Sequence, residues 1–307
     1  METNPSRKIF LAENDDPIDI RYDNVFKAVF TKEIPASKTA LSELVSALIG
    51  IKVTVLIITA NEPPVSSLID RRLRFDINCR TENSERINVE MSLDPKWYEP
   101  VRLEYHSGIL FTGQDISGIR KTYNDLRPSF QIAILAKGRF FNDEEVLHSF
   151  EYYDPVNNVA LSGRSKIITL ELSKVDSLID KPISTMQASE RWAAYFHYLT
   201  DKSKRCKINE ILEKDEGIAM ASEVLMTISK DEIERVRLMS EHKNRLDIQS
   251  EFAYAREEGH AEGHAEGHAE GEAKKAKEIA GKMKKSGRPY NEIIEFTGLT
   301  TDIIEKL

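Results

Sequence analysis

The sequence predicts an α/β (α+β) fold with an αβββαβ core, a helical C-terminal extension and a small helix-turn-helix-like end. Apolar and polar residues alternate over residues 73–80 and again over 86–93, which is the period of a half-buried strand. Apolar residues recur at helical spacing before and after this pair, and most of the chain from residue 185 to 255 has a helical pattern. Together these observations favour one mixed core with helices appended to it.

The composition is that of an ordinary globular protein. Charged residues make up 31% and hydrophobic residues 40% of the 307, so disordered, collagenous and membrane classes are not indicated. The amino terminus lacks the apolar segment of a signal peptide, and no apolar run approaches the roughly 18 residues that span a bilayer. We therefore expect a cytoplasmic protein with no membrane partner. Cys79 and Cys206 have no metal-type spacing and are expected to be inert thiols.

Two helices and a strand are predicted ahead of the alternating pair, after a loose polar arm that extends to Asp19. The first helix covers residues 23–30, and Asp23 can cap it. The second covers residues 37–49 and ends at Gly50. Residues 52–60 are rich in valine and isoleucine and short enough for a buried strand.

The alternating pair predicts a hairpin that carries two acids on one face. Both apolar sets must fall on the same side of the sheet, so only registers with an even sum of paired residue numbers are allowed. The most compact of these closes on the loop 82–84 and places Asp76 opposite Glu90. Like charges so paired are destabilising unless a positive group lies between them, and a divalent metal is a natural candidate. The alternative is an edge hairpin whose acids are only solvated.

Prolines at positions 95 and 100 precede a predicted helix of about two dozen residues. Its apolar face is expected to pack on the sheet through Tyr105, Ile109, Thr112, Ile116, Ile119 and Tyr123. Residues 130–136 then predict a closing strand. Residues 139–181, which include a strand-like piece at 166–170, are interpreted as an elaboration of the core.

The rest of the chain is predicted to be helical in three parts, which gives four domains: 1–182, 183–257, 258–273 and 274–307. In the second, Trp192, Tyr195, Phe196 and Leu199 share a face. The third repeats Glu-Gly-His-Ala and predicts a spacer helix that pairs with a copy of itself. The fourth begins with a basic helix and continues as two short helices separated by Gly298, a pattern shared by helix-turn-helix modules and small packing units. Residues 273–288 carry seven basic residues and one acid, although the chain as a whole has a net charge of −8.

Several short motifs carry a resemblance to a known family. They are DNVFKAVF at residues 23–30, FDINCRTE with INVEM in the hairpin, and the Glu-Gly repeats followed by FTGL; single matching residues are Arg102, Tyr105, Gln114, Gly118 and Tyr123. In order and spacing the chain resembles the Rpn recombination-promoting nucleases, or putative transposases, of the PD-(D/E)xK superfamily. The predicted αβββαβ order is the core of those nucleases.

The resemblance implies a metal-dependent DNA endonuclease linked to recombination or transposition. Asp76 and Glu90 would bind Mg²⁺ or Mn²⁺, because hard cations prefer oxygen ligands. Asp23 would supply a third acid, unless it only caps its helix, and Glu43 is the rival for that place. The implied partner is DNA, and the C-terminal helices suggest self-association.

The chain departs from the family at Ser92. The family has Glu-x-Gln at this motif, and the wider superfamily has Glu-x-Lys, whereas this chain has Glu90-Met91-Ser92. A serine supplies no positive charge to a phosphate or a water, so we expect slow turnover. Lys27, Lys96 or Gln114 could take the role of the glutamine or lysine that the motif has at this position. The alternative function is a weakened or inactive DNA-binding or assembly protein on the same fold.

Overall fold

The computed structural model describes residues 11–59, 76–116 and 120–307. Among the predicted features, residues 1–10 of the arm, strand residues 60 and 73–75, and helix residues 117–119, with the family-matching Gly118, lie outside these ranges. Two compact units are present, a first that ends at His242 and a second that comprises Lys243–Leu307. In the described ranges, no helix combines the length and the apolar character that a membrane crossing requires.

Helices α1 (Asp23–Thr31) and α2 (Pro35–Ile49) open the core. In α1 the apolar side chains at helical spacing are fully buried, as predicted: Val25, Phe26, Val29 and Phe30. Tyr22, not Asp23, is the N-cap residue, and Asp23 is the first residue of the helix. Helix α2 ends at Gly50, which has φ +78° and donates its backbone N–H to the carbonyl of Ser46.

Six strands form one mixed sheet. Their bounds are β1 Val55–Thr59, β2 Ile77–Thr81, β3 Arg86–Ser92, β4 Ser129–Leu135, β5 Leu147–Phe150 and β8 Ser165–Glu171. A separate two-stranded ribbon contains β6 (Tyr153–Asp154) and β7 (Val159–Ala160). The order in the sheet is β1-β2-β3-β4-β8-β5; the neighbours β3, β4 and β8 run parallel, and the other pairs are antiparallel. The predicted αβββαβ order is confirmed, with β8 and β5 extending the sheet beyond β4.

The prediction of a buried first strand is wrong. Strand β1 is the last strand of the sheet in the described residues, and Leu56 and Ile57 are 50% and 53% exposed. The register shifts between Val55 and Ile57, so the alternation of inward and outward side chains is interrupted there. An apolar run alone does not distinguish a central strand from such an irregular edge.

Helix α3 (Glu99–Thr112) is shorter than predicted. It ends at Gly113, whose N–H donates to the carbonyl of Ile109, and a Cβ at Gly113 would lie 2.8 Å from that oxygen. The described residues 114–116 and 120–122 lie in no helix or strand, and Tyr123–Asp125 form a 3₁₀ turn. The predicted contact face is also wrong, because Tyr105 is 58% exposed and the buried residues of α3 are Glu99, Leu103, His106, Ser107 and Leu110.

The sheet separates two layers of the first unit. Its apolar face belongs to one continuous core with α1, α2, α4 (Ala188–Tyr198), α5 (Arg205–Lys214) and α6 (Glu216–Lys230). The predicted aromatic face of α4 lies in this core, with Trp192 and Tyr195 fully buried. Cys79 is also buried there, and burial raises the pKa of its thiol to about 12. Helix α3 packs on the opposite face of the sheet, where Leu103 contacts β4.

The second unit contains most of α7 (Glu232–Lys285), then α8 (Tyr290–Thr297) and α9 (Thr301–Glu305). Its small core joins one residue from each helix: Ala280, Ile293 and Ile304. Ile279, which precedes Ala280 in α7, is 42% exposed. The repeat 258–273 is helical, as predicted, and a Cβ added at any of its glycines would meet open space. The four-domain division stays a prediction.

Substitution of Gly217 tests how closely α6 packs against α2. A Cβ at Gly217 would lie 2.3 Å from the Cβ of Glu43, so Gly217→Ala forces the two helices apart. We expect the melting temperature to fall by roughly 4 °C or more, since overpacking costs about 1–3 kcal/mol and exceeds the gain in helix propensity. The control is Gly108→Ala, where the Cβ meets nothing within 4 Å and the change should stabilise by up to about 1 kcal/mol. Equal melting temperatures for both variants would contradict the close approach.

Candidate active site

The hairpin has the predicted register. Ile77 pairs with Val89 and Cys79 pairs with Ile87, which is the pairing that closes on the loop 82–84. Ser84 adopts φ +63° in this loop and donates its N–H to the carbonyl of Thr81 at 2.9 Å. One further step along the same register brings Asp76, immediately before β2, opposite Glu90. The strands therefore place the two predicted acids side by side.

Asp76 shares a lysine with Asp23. The Nζ atom of Lys27, one turn along α1 from Asp23, lies 2.9 Å from Asp76 Oδ1 and 2.9 Å from Asp23 Oδ1. The other carboxylate oxygen of Asp76 accepts the backbone N–H of Met91 at 3.2 Å. Asp23, Lys27 and Asp76 thus form one charged cluster between α1 and the hairpin.

Glu90 is only 4% exposed and is held by side chains from α3 and β4. Arg102 Nη1 donates to Glu90 Oε2 at 2.9 Å, and His106 Nδ1 lies 3.2 Å from Glu90 Oε1. Gln131 also donates its Nε2–H to Oε1 and itself accepts a hydrogen bond from Asn88 at 3.0 Å. Both oxygens of this buried carboxylate are satisfied, as burial of a charge requires.

Arg102 links a second buried acid to the cluster. Its guanidinium is paired with Glu99, one turn earlier on α3, as well as with Glu90. Burial lowers the pKa of Arg102, but the hydrogen bonds and charges of Glu99 and Glu90 outweigh it, so the pKa lies above its usual value. Within the described residues, four carboxylates, those of Asp23, Asp76, Glu90 and Glu99, thus lie in contact with the two cations Lys27 and Arg102.

Burial and the neighbouring acids shift the protonation of Asp76. Burial, followed by the charge of Asp23, raises the pKa of Asp76 to about 7; Lys27 opposes the shift and Glu90 adds to it. For Lys27, the neighbouring charges outweigh the effect of burial. Burial lowers its pKa, but the charges and hydrogen bonds of Asp76 and Asp23 raise it further, so the pKa lies above its usual value and the lysine stays protonated at neutral pH.

The donor set is suited to a divalent cation. Asp76 and Glu90 supply hard carboxylate oxygens, and a bound cation would displace the proton that Asp76 holds near pH 7. In the part of the chain that the structure describes, no group of three or more His, Cys, Asp or Glu residues is arranged as a metal site. Lys27 and Arg102 already contact the two acids, so they are the groups with which a metal ion would compete.

The other candidate residues lie in different surroundings. Ser92 is the last residue of β3 and shares the face of Glu90 by strand alternation. Glu43 pairs with Lys52 beside α2, and Lys96 pairs with Asp94 on the surface. Gln114 binds the backbone of Arg127, accepting its N–H and donating to its carbonyl.

Sequence reasoning missed the contacts that His106 and Gln131 make with Glu90, and the pairing of Glu99 with Arg102. The residues at positions 99, 102 and 106 recur at helical spacing, which is a usable signal of one helix face. It was obscured because Tyr105 and Ile109, the more apolar residues, suggested a different face. Gln131 lies in a fully buried strand, where a polar residue needs a partner.

A family model described as PD-(D/E)XK nuclease family transposase matches residues 20–255. The chain belongs to this family. Comparisons with curated proteins and with solved structures gave no match. Family membership gives a nuclease-type function, that of a hydrolase acting on nucleic acid, and PD-(D/E)XK nucleases generally use divalent metal ions. The matched range contains all the acids of the cluster and ends before the Glu-Gly-His-Ala repeat.

The pKa of Asp76 predicts how stability depends on pH in this family member. Because the folded-state pKa, about 7, exceeds the ordinary value of 3.8, the favourable contribution is complete below pH 3.8 and is lost as the pH rises through 7. Asp76→Asn mimics the neutral acid. We expect the variant to gain roughly 4 kcal/mol relative to wild type between pH 4 and pH 8, at about 1.36 kcal/mol per pKa unit.

Urea unfolding in EDTA at several pH values measures this difference. The control is Asp94→Asn, an exposed acid whose pKa is lowered by its hydrogen bond to Lys96. Its unfolding free energy should follow the wild-type curve between pH 5 and pH 8. Parallel curves for wild type and Asp76→Asn would show that the charge cluster does not disfavour ionised Asp76.

Proposed function

We propose that this nuclease-family chain is a Mg²⁺- or Mn²⁺-dependent DNA endonuclease that hydrolyses phosphodiester bonds in recombination or transposition. The observation that supports it most is the facing of Asp76 and Glu90, two carboxylates of neighbouring chain segments whose charges disfavour each other. A divalent cation bound between them would relieve this repulsion. The expected cytoplasmic location belongs to the same proposal.

Asp76 and Glu90 would hold the metal ion, and Asp23 is better placed than Glu43 to contribute, since Asp23 and Asp76 contact the same lysine. When bound, such an ion polarises the phosphate and lowers the pKa of an attacking water. Arg102, His106 and Gln131 fix the orientation of the Glu90 carboxylate. Their role is to position a ligand, which costs no reorganisation during the reaction.

Lys27 is the best placed substitute for the positive group that the family motif lacks at Ser92. Its Nζ contacts Asp76, whereas Lys96 and Gln114 are engaged elsewhere. Because neighbouring acids raise the pKa of Lys27, it remains a cation at neutral pH. Its role would therefore be to stabilise negative charge on the phosphate, not to accept a proton from water.

The basic segment at residues 273–288 is proposed as a further DNA contact. Its lysines lie on α7, which packs with α8 and α9 around Ala280. This arrangement is compatible with a helix-turn-helix module and equally with a self-association unit. Counter-ion release from DNA phosphates by clustered lysines supports the first.

Removing a metal ligand tests the assignment. We expect Asp76→Asn and Glu90→Gln to lower metal-dependent nicking of supercoiled plasmid by at least about 100-fold, a typical loss for one catalytic group. Asp23→Asn should also lower the rate, and Glu43→Gln, whose side chain pairs with Lys52, should not. Circular dichroism checks that each variant folds. Wild-type rates for both Asp76→Asn and Glu90→Gln would refute the site.

Substitution of Ser92 is expected to raise the nicking activity. Ser92→Lys or Ser92→Gln restores a group of the superfamily motif and should raise the nicking rate by about 10-fold or more. A gain would identify a nuclease that lacks one group. If the parent and both variants are inert while they bind Mn²⁺ and DNA, the non-catalytic DNA-binding or assembly protein becomes the better account.

A further inference from the structure

A second like-charged pair lies on the same face of the hairpin as the acids. Arg80 of β2 is directly opposite Arg86 of β3 in the antiparallel register. Like charges at this spacing, roughly 4.5–5.5 Å between Cβ atoms, destabilise a sheet unless a counter-charge lies near them. Burial, and then the charge of Arg80, lower the pKa of Arg86. The two guanidinium charges therefore repel each other.

The arginine pair lines a cleft of about 310 Å³, together with Arg127. Gln114 donates to the backbone carbonyl of Arg127 at 2.8 Å and accepts its backbone N–H at 2.9 Å, which fixes the wall that carries this third arginine. The acids of the cleft are engaged with other groups. Asp115 pairs with Lys121 at 2.8 Å, and Asp125 accepts hydrogen bonds from Thr122 in its own turn. Those hydrogen bonds lower the pKa of Asp125 most, and the charge of Arg127 contributes less.

The hydrogen-bonding capacity of the three guanidinium groups is unused within the described residues. Across residues 11–59, 76–116 and 120–307, none of them donates a side-chain hydrogen bond or forms an ion pair, and the Nε–H of Arg80 is buried without an acceptor. Elsewhere in the first unit, arginines pair with aspartates, as Arg21 does with Asp19 and Arg191 with Asp215. In a chain of net charge −8, three such arginines in one cleft indicate an anionic ligand.

We propose that Arg80, Arg86 and Arg127 bind backbone phosphates of the DNA strand that is cut at Asp76 and Glu90. A guanidinium binds phosphate through two parallel hydrogen bonds, so arginine suits this role better than lysine. Arg80 follows Asp76 by four residues on the same face of the hairpin, a distance of about 13 Å at the rise of a strand. This equals the rise of roughly four nucleotides along one strand of duplex DNA.

The proposal rests on the proposed function for the identity of the ligand, but its test needs no catalysis. Fluorescence anisotropy measures binding of a labelled DNA duplex to the full-length chain in EDTA at several salt concentrations. We expect the double variant Arg80→Gln/Arg86→Gln to bind at least about 10-fold more weakly and to reduce the magnitude of the salt slope by about 2, one for each phosphate that is no longer neutralised. Arg80→Lys/Arg86→Lys, which keeps the charge but not the paired hydrogen bonds, should have an affinity between those of wild type and the glutamine variant.

The matched control is Arg237→Gln, which removes a positive charge from an exposed pair with Glu241. It should bind like wild type. In a second measurement, inorganic phosphate at constant ionic strength should raise the melting temperature of wild type more than that of the double variant. Wild-type affinity and salt slope in the double variant would overturn the phosphate site. Intact DNA binding without metal-dependent nicking would instead count against the proposed nuclease activity alone.

Discussion

The repulsion between the facing carboxylates of Asp76 and Glu90 is the constraint on which the rest of the site depends. One cation from each of two helices offsets this repulsion. Lys27 reaches Asp76 from α1, and Arg102 reaches Glu90 from α3. The sheet is thereby tied to both helical layers through the residues proposed for catalysis. Stability and the proposed activity consequently depend on the same ion pairs, and the raised pKa of Asp76 makes the stability of the metal-free protein sensitive to pH.

In the proposed function, the two charged ends of the hairpin face would bind different parts of the substrate. The facing acids at one end would bind a cation, and the facing arginines at the other end would bind an anion. Asn78 and Asn88, which pair in the same register, separate the two ends with uncharged side chains. A phosphodiester strand with an associated metal ion has the complementary arrangement of charges. Such complementarity fixes orientation and register more than it adds raw affinity.

The sequence alone predicted the helix order, the hairpin register and the facing acids, because parity leaves few ways to pair two alternating strands. It did not predict which helix face meets the sheet. The apolar Tyr105 suggested one face of α3, whereas the structure buries His106 and Glu99, which are polar but satisfied by ion pairs and hydrogen bonds. The sequence named Lys27 as one of three substitutes for the group that Ser92 lacks but could not choose among them, since Lys27 and Asp76 are far apart in the chain. Nor does composition reveal the edge position of β1 or the register shift within it.

The three-residue loop 82–84 has a consequence for how this hairpin can evolve. Surface turns ordinarily accept insertions and deletions, because they carry little of the core. Here one added residue would exchange the two faces of a strand and remove an acid or an arginine from its partner. Two added residues would preserve the faces but move Glu90 out of line with Asp76. Turn length is therefore expected to vary far less than turn sequence among relatives that keep both charged pairs, even though Ser84 and its neighbours lie well away from the acids.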